Sequence, residues 1–333
     1  MEARGNNDRR WRLAFFVKRF EEINKDMVQE CGGKASHLGE LTHLGLNVPR
    51  GFCVLAKAFS SHLKGNQLEE QIGNIALTID YEIFEDLEEK TGQIRKLIAD
   101  APMPQEIEQE IVESYGSLSG GGQDPFVAVR SSVAVKDSPI SSFPGMMDTF
   151  HYIQGAKNVV DKVKECWGSV WSGRAAFARH SKEIEHAKAI IAPTVQLMVN
   201  SDVAGVLFTV NPVSGSKDDI VIEANWGLGE SVVCGKCICD FYTADKNLLC
   251  IKVKKIAKKR QTFMQAKGGG TEWVEVEPEK VDKATLTETQ VEELCRMACL
   301  IEGHYSYPQD IEWAYEKGVL YVLQARRAKI GGE

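Results

Sequence analysis

Asp310 and Glu312 in Gln309-Asp310-Ile311-Glu312-Trp313, with Gln324 and Arg326 in Leu323-Gln324-Ala325-Arg326, place two acids, an amide and a guanidinium at alternate positions. Side chains alternate across a strand, so each pair lies on one face. Between the runs stands Glu316-Lys317-Gly318, followed by the β-rich Val319-Leu320-Tyr321-Val322. This pattern predicts a β-hairpin with a three-residue loop, Gly318 left-handed and Tyr315 opposite Val319. Glu312 then lies opposite Val322 and Asp310 opposite Gln324, with all four polar side chains on one face. Such a set is costly to bury unless something charged sits among it. Mg²⁺ with a polyphosphate fits, the carboxylates taking the metal and Arg and Gln the phosphoryl oxygens. A solvated face with a surface ion pair fits the spacing as well.

Three other stretches could do chemistry. Cys31-Gly32-Gly33-Lys34 opens an apolar-periodic helix through Ala35, Leu38 and Leu41. Amides at a helix N-terminus beside a lysine make an anion site. The spacing is not that of a Walker A loop, and an ordinary loop-to-helix junction also accounts for it. Phe126-Val127-Ala128-Val129-Arg130-Ser131-Ser132 is a buried-type strand ending in a cation and two hydroxyls. The polar loop 138–149 after it would either fold over phosphates or lie on the surface. Cys234-Gly235-Lys236-Cys237-Ile238-Cys239 has no second Cys/His pair at zinc spacing, so these are expected to be structural thiols.

The elements that must carry these residues follow from pattern. Residues 66–115 predict acidic surface helices broken at Pro102 and Pro104. Residues 157–190 predict one long helix whose Trp167 and Trp171, four apart, are core. Strands are expected at 194–200, 205–210, 220–224, 240–242 and 248–256, then a helix capped by Thr287 with Gln290 completing a capping box. The basic run Lys252 to Arg260 reads as a solvated strand face rather than a nucleic-acid surface. A formal net charge of −7 over 333 residues also opposes a basic binding field. Nine irregularly spaced cysteines and no secretory or membrane-length apolar run point to a cytoplasmic chain.

In combination the motifs resemble one family. These are Gly32-Gly33-Lys34, Gly45-Leu46-Asn47-Val48-Pro49-Arg50-Gly51-Phe52, Val129-Arg130-Ser131-Ser132, Phe143-Pro144-Gly145-Met146-Met147-Asp148-Thr149, Gln196-Leu197-Met198-Val199, Phe208-Thr209-Val210-Asn211-Pro212 and Gly227-Leu228-Gly229-Glu230, with the closing Asp310-Ile311-Glu312 and Gln324-Ala325-Arg326. They resemble the N-terminal ATP-grasp, nucleotide-binding domain of phosphoenolpyruvate synthase and pyruvate phosphate dikinase, over about residues 25–327. The resemblance implies an α+β, two-lobed ATP-grasp fold with ATP in the cleft. One lobe would span 1–195, with 66–115 as a helical insertion, and the other 196–333. It further implies that Lys34 and Arg130 grip phosphates, and that Ser142, Gly145 and Thr149 belong to a covering loop. Gln196, Met198 and Val199 would line the adenine, with Glu230 and Glu223 towards the ribose. Asp310 and Glu312 would hold Mg²⁺, and Gln324 and Arg326 the transferring group. Cys234, Cys237 and Cys239 depart from the family, which has small or apolar residues there.

In the family, phosphoryl groups pass from ATP to a histidine on a swivelling domain, giving AMP and Pi overall. Arg326 is followed here only by residues 327–333, and none of the seven histidines has the context of the phosphorylated one. The resemblance therefore implies an ATP half-reaction unit working with a protein partner that carries the histidine and the acceptor site, as in the split phenylphosphate synthase, or a piece of a longer chain. Two alternatives remain: a self-sufficient ATP-grasp kinase or ligase acting on a small molecule, and a non-enzymatic nucleotide-sensing subunit.

Overall fold

The computed structural model describes residues 15–134, 148–186 and 189–329. In chain order its elements are β1 (Val17–Arg19), α1 (Val28–His43), β2 (Gly51–Val54), α2 (Ala56–Gly65), α3 (Leu68–Ala76), α4 (Phe84–Asp100) and α5 (Gln105–Leu118). Next come β3 (Val127–Arg130), β4 (Thr149–Ile153), α6 (Ala156–Gly168), α7 (Gly173–Ser181), β5 (Thr194–Leu197), β6 (Val203–Phe208), β7 (Asp219–Trp226) and α8 (Glu230–Val233). The chain continues through β8 (Asp240–Asp245), β9 (Ile251–Lys255), β10 (Gln261–Gln265), β11 (Thr271–Glu275), α9 (Glu288–Tyr305), β12 (Gln309–Glu316) and β13 (Val319–Arg327).

Two antiparallel sheets organise this mixed α and β chain, one in the order β1-β2-β5-β3-β4 and the other β13-β12-β6-β7-β8-β9. Helices cover the first. On α4 the buried Leu87, Thr91, Ile94 and Ile98 recur at helical spacing, so one stripe faces inward. With Ile107, Ile111 and Trp167, the three apolar members Leu87, Ile94 and Ile98 form a core with Val127, Val129 and Val195 of the sheet. The 66–115 helices thus supply about a third of the buried residues in the core against the first sheet. The second sheet buries Ile220, Ile222, Ile311 and Trp313 against Leu294, Ala298 and Ile301 of α9. Thr287 caps α9, its hydroxyl accepting from the Gln290 amide while the Gln290 side chain accepts from the Thr287 amide. Among the described residues no helix is long and apolar enough to cross a membrane.

Three expectations are corrected. The 157–190 helix is two helices, because Ser172 leaves the helical region and its hydroxyl caps α7 by accepting from the Ala175 amide. Trp167 and Trp171 are buried all the same. The boundary drawn at 195/196 falls inside β5, which pairs with both β2 and β3 of the first sheet. Lys259, read as part of a solvated face, is fully buried and ion-paired with Asp240 at 2.7 Å. Asp240 also accepts from the Ala257 amide and from the amide and hydroxyl of Thr285, so both of its carboxylate oxygens are hydrogen-bonded.

Candidate functional site

The C-terminal hairpin forms, in a register different from the expected one. Lys317 and Gly318 both have positive φ, giving a two-residue turn with Glu316 opposite Val319. Asp202 holds the non-glycine Lys317 in that conformation, its carboxylate accepting from the Lys317 amide at 2.7 Å. Continued unbroken, this register would set Glu312 opposite Leu323 and put Gln324 and Arg326 on the core face. A β-bulge after Glu312 prevents that: beyond it Glu312 pairs with Gln324 and Asp310 with Arg326. Burial records the same shift, since Leu320 and Val322 face the core on one side of the bulge and Ala325 on the other. All four polar side chains therefore share the other face, as expected, through different partners.

Arg130 ends β3 in the first sheet and reaches across to this face. Its guanidinium donates to Glu312 Oε2 and Gln324 Oε1 at 3.0 Å, to the Leu323 carbonyl at 3.1 Å and to Gln196 Oε1 at 3.3 Å. Gln324 Nε2 donates to the other Glu312 oxygen at 3.1 Å. Beside them Arg326 donates from Nε and Nη2 to Asp310 Oδ2 at 2.8 Å. Burial pushes the Asp310 carboxyl above the usual carboxylate range more than Arg326 draws it down, and the charge of Glu312 adds to the rise. Burial, with Arg130 and Arg326 nearby, pushes the Lys34 ammonium down to about 8 against the opposing pull of Glu312. Cations and acids are thus crowded into one largely buried place between the two sheets, with the Arg326 side chain half exposed at its edge.

Lys34 gets there because α1 is broken at Gly32, which has φ 71 and ψ 165. A side chain at Gly32 would meet the Ser132 hydroxyl at 2.2 Å and its carbonyl at 2.8 Å. The anion-site reading of the Gly33 and Lys34 amides is corrected here. They donate instead to the Val133 carbonyl and to Ser132 Oγ, which fastens the helix start to the end of the Arg130 strand. Gly32→Ala should cost about 1–3 kcal/mol through the left-handed φ, before the clash is counted. Thermal unfolding checks this, and a melting temperature equal to that of the unmodified chain would rule it out.

The remaining candidates divide. Thr149 is the β4 residue paired with Arg130. Ser142 and Gly145 lie outside the described residues. Gln196 spends its carbonyl on Arg130, while Val199 joins Ala204, Ala314, Tyr321 and Leu323 in a small apolar cluster beside the polar face. Met198 ties the strand to Phe126, its amide donating to the Phe126 carbonyl at 3.0 Å. Glu223 lies in the same ladder row as Glu312 with Val206 between them, and burial pushes its carboxyl up. Glu230 pairs with His151 of the first sheet at 3.2 Å, and that bond holds its carboxyl below the usual range. His151 was not singled out from the sequence, and nothing local marks it, whereas Ser132 was read there as one of two hydroxyls closing the strand. His304, six residues before Asp310, pairs with Glu40 at 2.6 Å.

Among the described residues no three His, Cys, Asp or Glu side chains gather as a metal cage, the Cys234–Cys239 segment included. Asp310 and Glu312 fit a different kind of site, one in which a hard cation takes one or two carboxylates and draws its other oxygens from a polyphosphate.

Residues 28–333 match the family described as pyruvate phosphate dikinase, AMP/ATP-binding domain. The chain belongs to that family. It is 40% identical to a probable phosphoenolpyruvate synthase of Pyrococcus horikoshii and 39% identical to the phosphoenolpyruvate synthase of Pyrococcus furiosus, each match covering 93% of this chain and 43% of the relative. A probable phosphoenolpyruvate synthase of Methanocaldococcus jannaschii is 41% identical over 93% of this chain and 26% of its own length. The chain thus spans less than half the length of these relatives, and its AMP/ATP-binding family character rests on nearly all of its own.

Proposed function

We propose that this chain is a two-lobed ATP-grasp unit that binds Mg·ATP between its sheets and passes phosphoryl groups to a histidine on a swivelling domain, in the manner of a phosphoenolpyruvate-synthase-like dikinase. The observation that carries the reading is the Arg130 node, where one guanidinium from the first sheet is bound to Glu312 and Gln324 of the second beside the Asp310–Arg326 pair. Phosphoryl transfer needs positioning and charge neutralisation more than covalent help, and this set supplies both. Lys34 and Arg130 would hold phosphates, Gln324 and Arg326 the group in flight, and the apolar cluster at Val199 one side of the base. Glu223 and Glu230 would take the ribose side. Mg²⁺ held by Asp310 and Glu312 would neutralise phosphoryl charge as it develops. The relatives' names include phosphoenolpyruvate synthase, which favours pyruvate-type chemistry on the acceptor side.

Incubation with γ- and β-labelled ATP, Mg²⁺ and a protein bearing the swivelling histidine domain tests the reading. Acid-labile label should appear on that protein, with AMP as product. Label on a small acceptor with no such protein present would favour a self-sufficient kinase instead. Asp310→Ala should remove the Mg²⁺ dependence along with turnover while the melting temperature changes little, since truncation also relieves the crowding with Glu312. Near-normal turnover in that variant would refute the metal assignment.

A further inference from the structure

The phosphate-holding residues come from separate sheets, and α1 lies between the two cores. Its Ala35 and Leu38 pack with Phe20, Cys53 and Leu55 on the first-sheet side. Its Leu41 belongs to the core beneath the second sheet. Lys34, His37 and Glu40, three residues apart, wind along the helix from the first turn after the Gly32 break.

His37 Nδ1 lies 2.7 Å from the carbonyl oxygen of Ala325, the residue between Gln324 and Arg326. A carbonyl only accepts, so Nδ1 carries the proton and Nε2 is left as the acceptor of a neutral ring. Burial lowers the ring's pKa, in keeping with that neutral form. The imidazole meets Tyr305 in an edge-type contact, with ring centroids 5.3 Å apart and ring planes at 60°. Tyr305 closes α9, immediately after the His304 that Glu40 holds. Glu40 is itself fixed by the Lys25 amide at 3.1 Å. The helix that delivers Lys34 is therefore fastened to β13 through His37 and to the end of α9, just ahead of β12, through Glu40 and His304.

We propose that His37 is a positioning residue for phosphate binding: its Nδ1–H bond to Ala325 sets the spacing between the Lys34 ammonium and the Gln324/Arg326 pair. The proposal rests on reading the cleft as the Mg·ATP site. Without this tie the spacing between Lys34 and the Gln324/Arg326 pair would rest on more distant links, the Arg130 bridge and the Glu40–His304 pair among them, and displacements of about 1 Å weaken such contacts sharply.

Calorimetric titration with Mg·AMPPNP tests this on His37→Asn, His37→Gln and His37→Leu, each with and without Lys34→Ala. The Asn amide nitrogen falls where Nδ1 lies, whereas the Gln amide falls nearer the Nε2 position. His37→Asn should bind within about twofold of the unmodified chain, and His37→Gln and His37→Leu about tenfold more weakly, as for one lost buried hydrogen bond. The loss caused by Lys34→Ala should shrink by at least about threefold in the His37→Leu background, because residues acting as a unit are not additive. If Asn and Gln behave alike, or the Lys34 and His37 effects simply multiply, the positioning role is overturned. If Lys34→Ala binds the analogue as tightly as the unmodified chain, the reading of the cleft itself fails and this proposal with it.

Discussion

Arg130→Ala should slow ATP-dependent phosphorylation of a histidine-bearing partner by about 10³-fold or more, yet weaken Mg·ATP binding only about tenfold. The asymmetry follows from where the side chain lies. Among the described residues its hydrogen bonds run to Gln196 in the first sheet and to Glu312, Leu323 and Gln324 in the second, so it joins the two surfaces that would close on the phosphates. On the proposed reading, nucleotide affinity would also draw on the apolar cluster at Val199 and on Lys34, which the substitution leaves in place. The charge that grows on a phosphoryl group in flight would lose its best-placed planar donor. Arg130→Lys should not rescue turnover, because a point charge cannot make the forked contacts to Glu312 and Gln324. Single-turnover kinetics beside calorimetric affinities decide the matter. Equal losses in the two would mark Arg130 as a residue that binds ground state and transition state alike.

The identity of these residues was readable from residue types and order, and their geometry less so. Alternation put Asp310, Glu312, Gln324 and Arg326 on one face, and that face exists. The expected pairing failed because a three-residue loop at Glu316-Lys317-Gly318 and a two-residue turn followed by a bulge both satisfy the hydrophobic pattern. Only the change from Leu320 and Val322 to Ala325 betrays the bulge, and an alanine is a faint core signal. Gly32-Gly33-Lys34 was legible as a helix start. That its amides would be taken by Val133 and Ser132 depends on a strand about a hundred residues away, which no local rule reaches. His37 falls in the same class: within α1 it is one more half-polar position, and its role comes from β13.

Asp240→Ala should destabilise the fold by about 3–5 kcal/mol, the usual cost of leaving one member of a buried ion pair alone. Both side chains of the Asp240–Lys259 pair are fully excluded from solvent. Removing the carboxylate strands the Lys259 ammonium with only the Ala257 carbonyl at 2.9 Å, and it orphans the Ala257 and Thr285 amides and the Thr285 hydroxyl. These groups fasten the start of β8 to the segment before β10 and to the approach to α9, so the loss should spread across the second sheet. Lys259→Met is expected to be milder alone, since Asp240 keeps its two amides and the hydroxyl. The double variant Asp240→Leu/Lys259→Met should regain much of what Asp240→Ala loses, because an apolar pair of similar volume needs no desolvated charge. Chemical denaturation of the three variants measures this directly. Were Asp240→Ala as stable as the unmodified chain, the buried pair would be an ornament on the second sheet rather than its fastening. Were the double variant no better than Asp240→Ala, the cost would lie in the lost amide and hydroxyl partners rather than in the stranded charge.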